Sequence, residues 1–184
     1  VSPDGDAIGS ALGLFHFLNA YGKENVSVIV PNDYPNFLKW MPGTKDVTIY
    51  EKYPEFSEQL ISDADVIFCL DFNDPKRIEK LADPVLKSEA RKVLIDHHLH
   101  PVEFCNVTMS YPNISSTSEM VFRFICRMGL FDLIDKNAAE CIYTGMMTDT
   151  GAFTYNSNHP EIYTIIGELI KLGIDKALIY RRIN

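Results

Sequence analysis

Lys92-Val93-Leu94-Ile95-Asp96-His97-His98 is the stretch on which the fold turns. Its largely apolar start reads as a buried strand, and an acidic residue with two adjacent imidazoles follows at the carboxyl end. Open α/β sheets place their ligand sites along that edge. Three other acidic positions close comparable segments: Asp4-Gly5-Asp6 before a helix, Asp71 after Val66-Ile67-Phe68-Cys69-Leu70, and Asp149 after an apolar helical stretch.

Outward from this run, strands and helices alternate. Residues 26–30 form a short β-branched run stopped by Pro31, and 47–50, 65–70 and 92–95 read as further strands, with a weaker one at 104–109. Between them, Ile8, Leu12, Phe15 and Leu18 make a helical stripe across 8–21 that Gly22 ends. A short helical turn at 37–43 and helices at 54–62 and 76–81 follow. Beyond Ser115 the pattern is helical: 118–128, 136–147, 161–172 and 175–183. Alternation followed by helices predicts an α/β fold, a parallel sheet of about five strands with helices on both faces and a helical C-terminal third. The last third should cover one face of the sheet and then lead away from it.

The bulk composition sets limits. A chain of 184 residues can bury one substantial core. With 46% hydrophobic and 23% charged residues it falls in the soluble globular class. A net charge of −8 argues against a long groove for duplex nucleic acid. It leaves room for a short phosphorylated substrate, because bound divalent cations invert the local potential. Cys69, Cys105, Cys126 and Cys141 form no C-x-x-C pair, which suits free thiols in a reducing compartment. No stretch has the length and apolarity of a membrane span, and no signal peptide precedes the domain, so a cytoplasmic protein is expected. The sequence opens on Val1-Ser2-Pro3-Asp4 without an initiator Met or a preceding strand, as if taken from a longer protein.

Each acidic cluster has two readings. Asp4 and Asp6 flank Gly5 just ahead of a helix and could each ligate a metal; alternatively Asp6 caps that helix. Asp71 is placed for a site at a strand end, yet turns also favour Asp. Asp149, near the C-terminal end of an apolar helix, is electrostatically unfavourable without a compensating charge such as a metal; otherwise it faces solvent in the following turn. Two adjacent imidazoles behind an Asp are harder to explain as packing. His97 could bind metal through a neutral ring nitrogen, His98 could contact a phosphate or shuttle a proton, and Asp96 could orient a ring. Ser116 to Glu119 has the spacing of a capping box, and the same helix start could hold an anion, which makes Ser116 a candidate substrate contact. His16, His100 and His159 read as structural, loop or exposed residues.

In this order, Pro3-Asp4-Gly5-Asp6-Ala7, Asp71, Asp96-His97-His98 and Asp149 resemble the DHH phosphoesterase superfamily over nearly the whole chain. Ser116-Thr117-Ser118-Glu119 and Gly145-Met146-Met147-Thr148-Asp149-Thr150-Gly151 look most like its oligoribonuclease and adenosine-bisphosphate (pAp) phosphatase branch. The resemblance implies two divalent cations, manganese, with Asp71 bridging. One would be held by Asp4, Asp71 and a His four residues ahead of Asp4, immediately before Val1. The other would be held by Asp6, Asp71, His97 and Asp149, while His98 steadies the scissile phosphate. It also implies that residues 1–184 are a DHH-type catalytic domain. Helices from about 159 to 184 would lead to a smaller C-terminal substrate-binding domain. The expected activity is hydrolysis of phosphodiester or phosphomonoester bonds in short nucleotides such as oligoribonucleotides, pApA or pAp, without a membrane partner and in a homodimer. The alternatives are an inorganic pyrophosphatase or exopolyphosphatase of the same superfamily, and a non-catalytic nucleotide-binding module.

Overall fold

Among the described residues, five short strands supply the frame, and they run parallel. In the computed structural model, which describes residues 2–184, β1 (Val28–Val30) pairs with β2 (Val47–Ile49), and β3 (Val66–Leu70), β4 (Arg91–Asp96) and β5 (Val107–Ser110) form a second sheet in that order. The helices are α1 (Gly5–Ala20), α2 (Pro54–Asp63), α3 (Ala82–Lys87), α4 (Thr117–Arg127), α5 (Lys136–Asp149), α6 (Pro160–Lys171) and α7 (Lys176–Ile183). Val1 lies outside the described residues.

The parallel α/β class and the helical last third agree with the sequence reading. The five strands, however, are split between two sheets instead of joined in one. β1 and β2 have three residues each, and their ladder does not extend to β3. Side chains make the connection: Ile29 of β1 packs on the same apolar cluster as Cys69 of β3. The strand expected from residue 104 starts only at Val107. Ahead of it, the Asn106 side chain takes the place of a ladder partner by accepting from the Lys92 amide at 2.8 Å.

Side-chain alternation along β3 explains why helices cover both of its faces. Phe68 and Leu70 pack against the large core built by Val121, Ile125, Ile142, Met146 and Ile162 from α4, α5 and α6. Ile67 and Cys69 face the opposite cluster of Ile61, Ile78, Leu81 and Val85 around α2 and α3. The single helix expected at 76–81 is instead a run of 3₁₀ turns, Pro75–Leu81, interrupted at Glu79 (φ 53°) and followed directly by α3. Pro84 sits within the first turn of α3, where its missing N–H costs little. The last helix, α7, stays against the body of the fold. Ile179 is buried, and the Arg182 guanidinium lies 4.9 Å over the Trp40 ring.

One helix contact matters most for the site. α1 and α5 cross in opposite directions, Gly5 lying against Thr148, Gly9 against Cys141 and Gly145, and Gly13 against Ile142 and Ala138. A Cβ on Gly9 would stand 2.6 Å from the Cys141 carbonyl oxygen and 2.9 Å from the Gly145 nitrogen, both immovable backbone atoms. The glycines therefore let the backbones meet. This contact brings the start of α1, with Asp4 and Asp6, to the end of α5, with Asp149.

Candidate metal centre

Four chain segments converge at the carboxyl edge of the second sheet. β3 delivers Asp71 and β4 delivers Asp96, His97 and His98; the register pairs Leu70 with Ile95, and the Asp71 amide continues the ladder to the Ile95 carbonyl at 3.1 Å. The crossing of α1 and α5 adds the others. Asp71 has a left-handed backbone (φ 63°), a conformation that turns the chain sharply at the strand end and that Asp tolerates better than most residues.

The two carboxylates of Asp4-Gly5-Asp6 have different jobs from those the capping rule suggests. Asp4, not Asp6, caps α1: its Oδ1 accepts from the amides of Asp6 (3.1 Å) and Ala7 (2.9 Å). This moves the helix start back to Gly5, ahead of the expected 8. Asp6 is turned inward and buried, with Oδ2 accepting from the Thr117 amide and Oδ1 from the Ser118 amide, each at 2.8 Å. The first amides of a helix have no partner within it and carry the positive end of its dipole, so α4 forms a cradle for this carboxylate. Burial still dominates, and it raises the Asp6 carboxyl to about 6 against the pull of the bonds from Ser118 and Thr117.

The same crowding acts on the others. Burial, then the charges of Asp6 and Asp4, hold the Asp71 carboxyl well above the usual range; a 2.9 Å hydrogen bond from the Thr117 hydroxyl opposes the shift. Asp149 is the last residue of α5, two residues beyond the expected helix end, and lies at the negative end of its dipole. Burial and the Asp6 charge raise it to about 7.

His97 sits at the centre. Its Nε2 is 3.2 Å from Asp149 Oδ2, 3.6 Å from Asp6 Oδ2 and 3.7 Å from Asp71 Oδ1. This nitrogen is buried and has no hydrogen-bond partner among the described residues. Two sets of ligand atoms are close enough to share an ion, Asp6–His97–Asp149 and Asp71–His97–His98. A divalent cation would resolve an orphaned imidazole nitrogen that faces three carboxyls resisting ionisation: it would accept the nitrogen lone pair, and with the carboxyl protons displaced it would balance the carboxylate charges. Mixed carboxylate and imidazole donors suit divalent first-row ions. The residues fit the implied metal.

His98 is held differently. Its ring Nδ1 lies 2.6 Å from Asp96 Oδ1, and its amide donates to Asp96 Oδ2 at 2.8 Å. Asp96 itself is fully buried. With Nδ1–H donated to the carboxylate, Nε2 is the free nitrogen, and the Asp96 bond raises the His98 pKa. The loop carrying both rings is tied down by buried Asn73, whose Nδ2 donates to the carbonyls of His98 (3.1 Å) and Leu99 (2.8 Å).

Ser116, a candidate substrate contact by sequence, is fully buried as the cap of α4, its Oγ accepting from the Glu119 amide at 3.0 Å. The reciprocal arm of the expected capping box is diverted. Glu119 accepts from Ser115 Oγ at 2.7 Å and from Arg123 Nε at 2.8 Å. His16 Nε2 is 2.7 Å from the Pro42 carbonyl oxygen and His159 precedes α6 as its cap, so both stay outside the cluster. Asn73 escaped the sequence reading, and Thr117 entered it only as part of the Ser116-Thr117-Ser118-Glu119 helix start, since neither residue type carries chemistry by itself. The four-residue spacing of Gly5, Gly9 and Gly13 was a usable signal for the α1–α5 contact.

Comparison with known proteins identifies the family. The DHH family, N-terminal domain, matches residues 1–146. The chain is 33% identical over its full length to the bifunctional oligoribonuclease and PAP phosphatase NrnA of Thermus thermophilus, covering 52% of that protein. It is 25% identical over 97% of its length to the cyclic-di-AMP phosphodiesterase GdpP of Bacillus subtilis, covering 28% of it. The crystal structure of an exopolyphosphatase-related protein from Bacteroides fragilis superposes with a TM-score of 0.98 at 64% identity, over 99% of this chain and 53% of that one. The chain thus spans about half the length, or less, of these relatives. With an Asp-His-His triplet at the carboxyl edge of a parallel sheet and four acidic residues gathered around it, the chain belongs to the DHH phosphoesterase superfamily, as an N-terminal DHH domain.

Proposed function

We propose that this chain is the cation-binding, catalytic half of a manganese-dependent phosphoesterase that hydrolyses short nucleotides, with oligoribonucleotides, pApA and pAp as substrates. The observation that carries the reading is the buried, unpartnered His97 Nε2 among the carboxylates of Asp6, Asp71 and Asp149. Asp6, His97 and Asp149 would hold one cation, and Asp71 would be shared with a second on the side of Asp4. A cation pair supplies Lewis-acid charge that activates water and offsets the negative charge growing on a phosphoryl group.

The chain's own residues do the rest. Asp96 fixes the His98 ring through Nδ1, so that Nε2 points away from the carboxylate and is available to a phosphate oxygen. The raised pKa keeps this ring cationic further toward neutral pH, which suits both charge stabilisation and proton donation to a departing oxygen. Asn73 keeps the two-histidine loop in register with the end of β3. Nucleotide substrates are favoured by the likeness to the oligoribonuclease and PAP phosphatase of Thermus thermophilus and to a cyclic-di-AMP phosphodiesterase.

A second reading rests on the Bacteroides fragilis structure, whose description as exopolyphosphatase-related points to phosphoanhydride cleavage. One experiment separates the two. The full-length protein, loaded with Mn²⁺, is assayed in parallel on pApA, pAp, pyrophosphate and polyphosphate. Turnover of pApA or pAp supports the nucleotide reading. Cleavage confined to pyrophosphate or polyphosphate replaces it with the second, and no turnover with metal bound returns the domain to a non-catalytic role.

A further inference from the structure

We infer that Thr117 is a positioning residue for the cation site, locking Asp6 and Asp71 into one geometry. This rests on the reading that these two carboxylates bind cations. They come from distant parts of the chain, the first turn of α1 and the end of β3. Thr117 meets both. Its amide donates to Asp6 Oδ2 at 2.8 Å, and its hydroxyl donates to Asp71 Oδ1 at 2.9 Å. The residue is fully buried, and the Ser116 cap holds the amide at the head of α4.

The two bonds are unequal in replaceability. The Asp6 bond is made by backbone, and the Ser118 amide secures the other Asp6 oxygen. Any non-proline residue at 117 retains it. The bond to Asp71 depends on the hydroxyl alone. The nearest imidazole nitrogens, His97 Nε2 at 3.7 Å and His98 Nδ1 at 3.8 Å, lie beyond hydrogen-bonding distance of Asp71 Oδ1. Without the hydroxyl, the Asp71 side chain can rotate about a backbone already in the left-handed region, and the oxygen facing the cluster loses its aim. Groups that orient ligands in this way typically contribute about 10–100-fold to metal affinity.

The test compares Thr117→Val, Thr117→Ala and Thr117→Ser in the full-length protein. Mn²⁺ binding is measured by calorimetric titration, the absorption spectrum of the Co²⁺-loaded protein is recorded, and the unfolding midpoint is determined without metal. Expected are a roughly 10–100-fold loss of affinity in the Val and Ala variants, an altered Co²⁺ spectrum, a metal-free midpoint close to wild type, and recovery in the Ser variant, which keeps the donor. Wild-type affinity and spectrum in Thr117→Val and Thr117→Ala overturn the inference while leaving the cation reading intact. Loss of the fold in both variants also overturns it, because the residue then serves the fold and not the site. Failure of the wild-type protein to bind Mn²⁺ or Co²⁺ refutes the cation reading itself.

Discussion

Asp96 grips His98 twice: Oδ1 lies 2.6 Å from the ring Nδ1, and Oδ2 accepts the backbone amide of the same histidine at 2.8 Å. A carboxylate so placed fixes which ring nitrogen is free and where it points. His98→Ala should lower kcat by about 10²–10⁴-fold, the usual contribution of a positioned acid–base group, while bound metal is retained. Asp96→Asn should lower kcat less and shift the His98 limb of the pH–rate profile downward, since the His98 pKa loses its chief support. Metal content by elemental analysis and kcat on pApA check both; loss of metal in His98→Ala would make the ring a ligand instead.

Asp71 Oδ1 lies 3.7 Å from His97 Nε2 and 3.8 Å from His98 Nδ1, and in the proposed function Asp71 is the carboxylate shared by both cations. Asp71→Ala should abolish turnover and reduce occupancy of both cations, in contrast to a change at Asp149, which should deplete one. Two full equivalents of metal in purified Asp71→Ala protein would contradict the shared role.

The contrast between Asp96-His97-His98 and Thr117 shows how far the sequence could be read. Strand ends announce themselves, because a short apolar run that stops at charged residues must bury its length and leave its end at an edge. Asp71, Asp96, His97 and His98 were therefore legible together with their sheet edge. Asp149 was legible for a different reason, as a charge at the wrong end of a helix dipole. What resisted was the way distant segments share hydrogen bonds. Asp6 had two plausible uses, and only the arrival of α4, more than a hundred residues on, assigns its carboxylate to the Thr117 and Ser118 amides. The division of the strands into two sheets was hidden likewise, since the pattern gives strand identity but no pairing.

Acid groups raised by burial make the metal-free protein sensitive to pH in a defined direction. Well below the ordinary carboxylate range, Asp6 and Asp149 are protonated in both folded and unfolded chains, and stability is full. As pH rises through that range toward about 6 for Asp6 and about 7 for Asp149, the unfolded chain releases protons that the folded chain retains, and stability falls. His98 adds to the trend: its pKa is raised in the fold, so its contribution is present below the ordinary imidazole value and disappears as pH climbs through the folded one. The unfolding midpoint of the metal-free protein should therefore drop between about pH 5 and about pH 8. Apparent Mn²⁺ affinity should rise over the same interval, because binding must displace the protons. Calorimetry in buffers of different ionisation heats should register proton release; a midpoint that climbs with pH would mean that these carboxyls are ionised in the fold.

Two glycine substitutions should have opposite effects. At Gly9, a new Cβ meets the Cys141 carbonyl oxygen and the Gly145 backbone, atoms that move only if α1 and α5 separate. Gly9→Ala should lower the unfolding free energy by about 1–3 kcal/mol or more, the range for an overpacked core. Because that contact holds Asp6 near Asp149, cation affinity should fall with it. Gly167, within α6, has open space where its Cβ would stand. Gly167→Ala should raise stability by up to about 1 kcal/mol through helix propensity alone and leave the cation site untouched. Denaturant unfolding of the two variants, paired with Mn²⁺ titration, distinguishes a general cost of altering a helical glycine from a helix crossing that sets the geometry of the acidic cluster. Equal affinities in Gly9→Ala and wild type would separate the α1–α5 contact from the site it is argued to position.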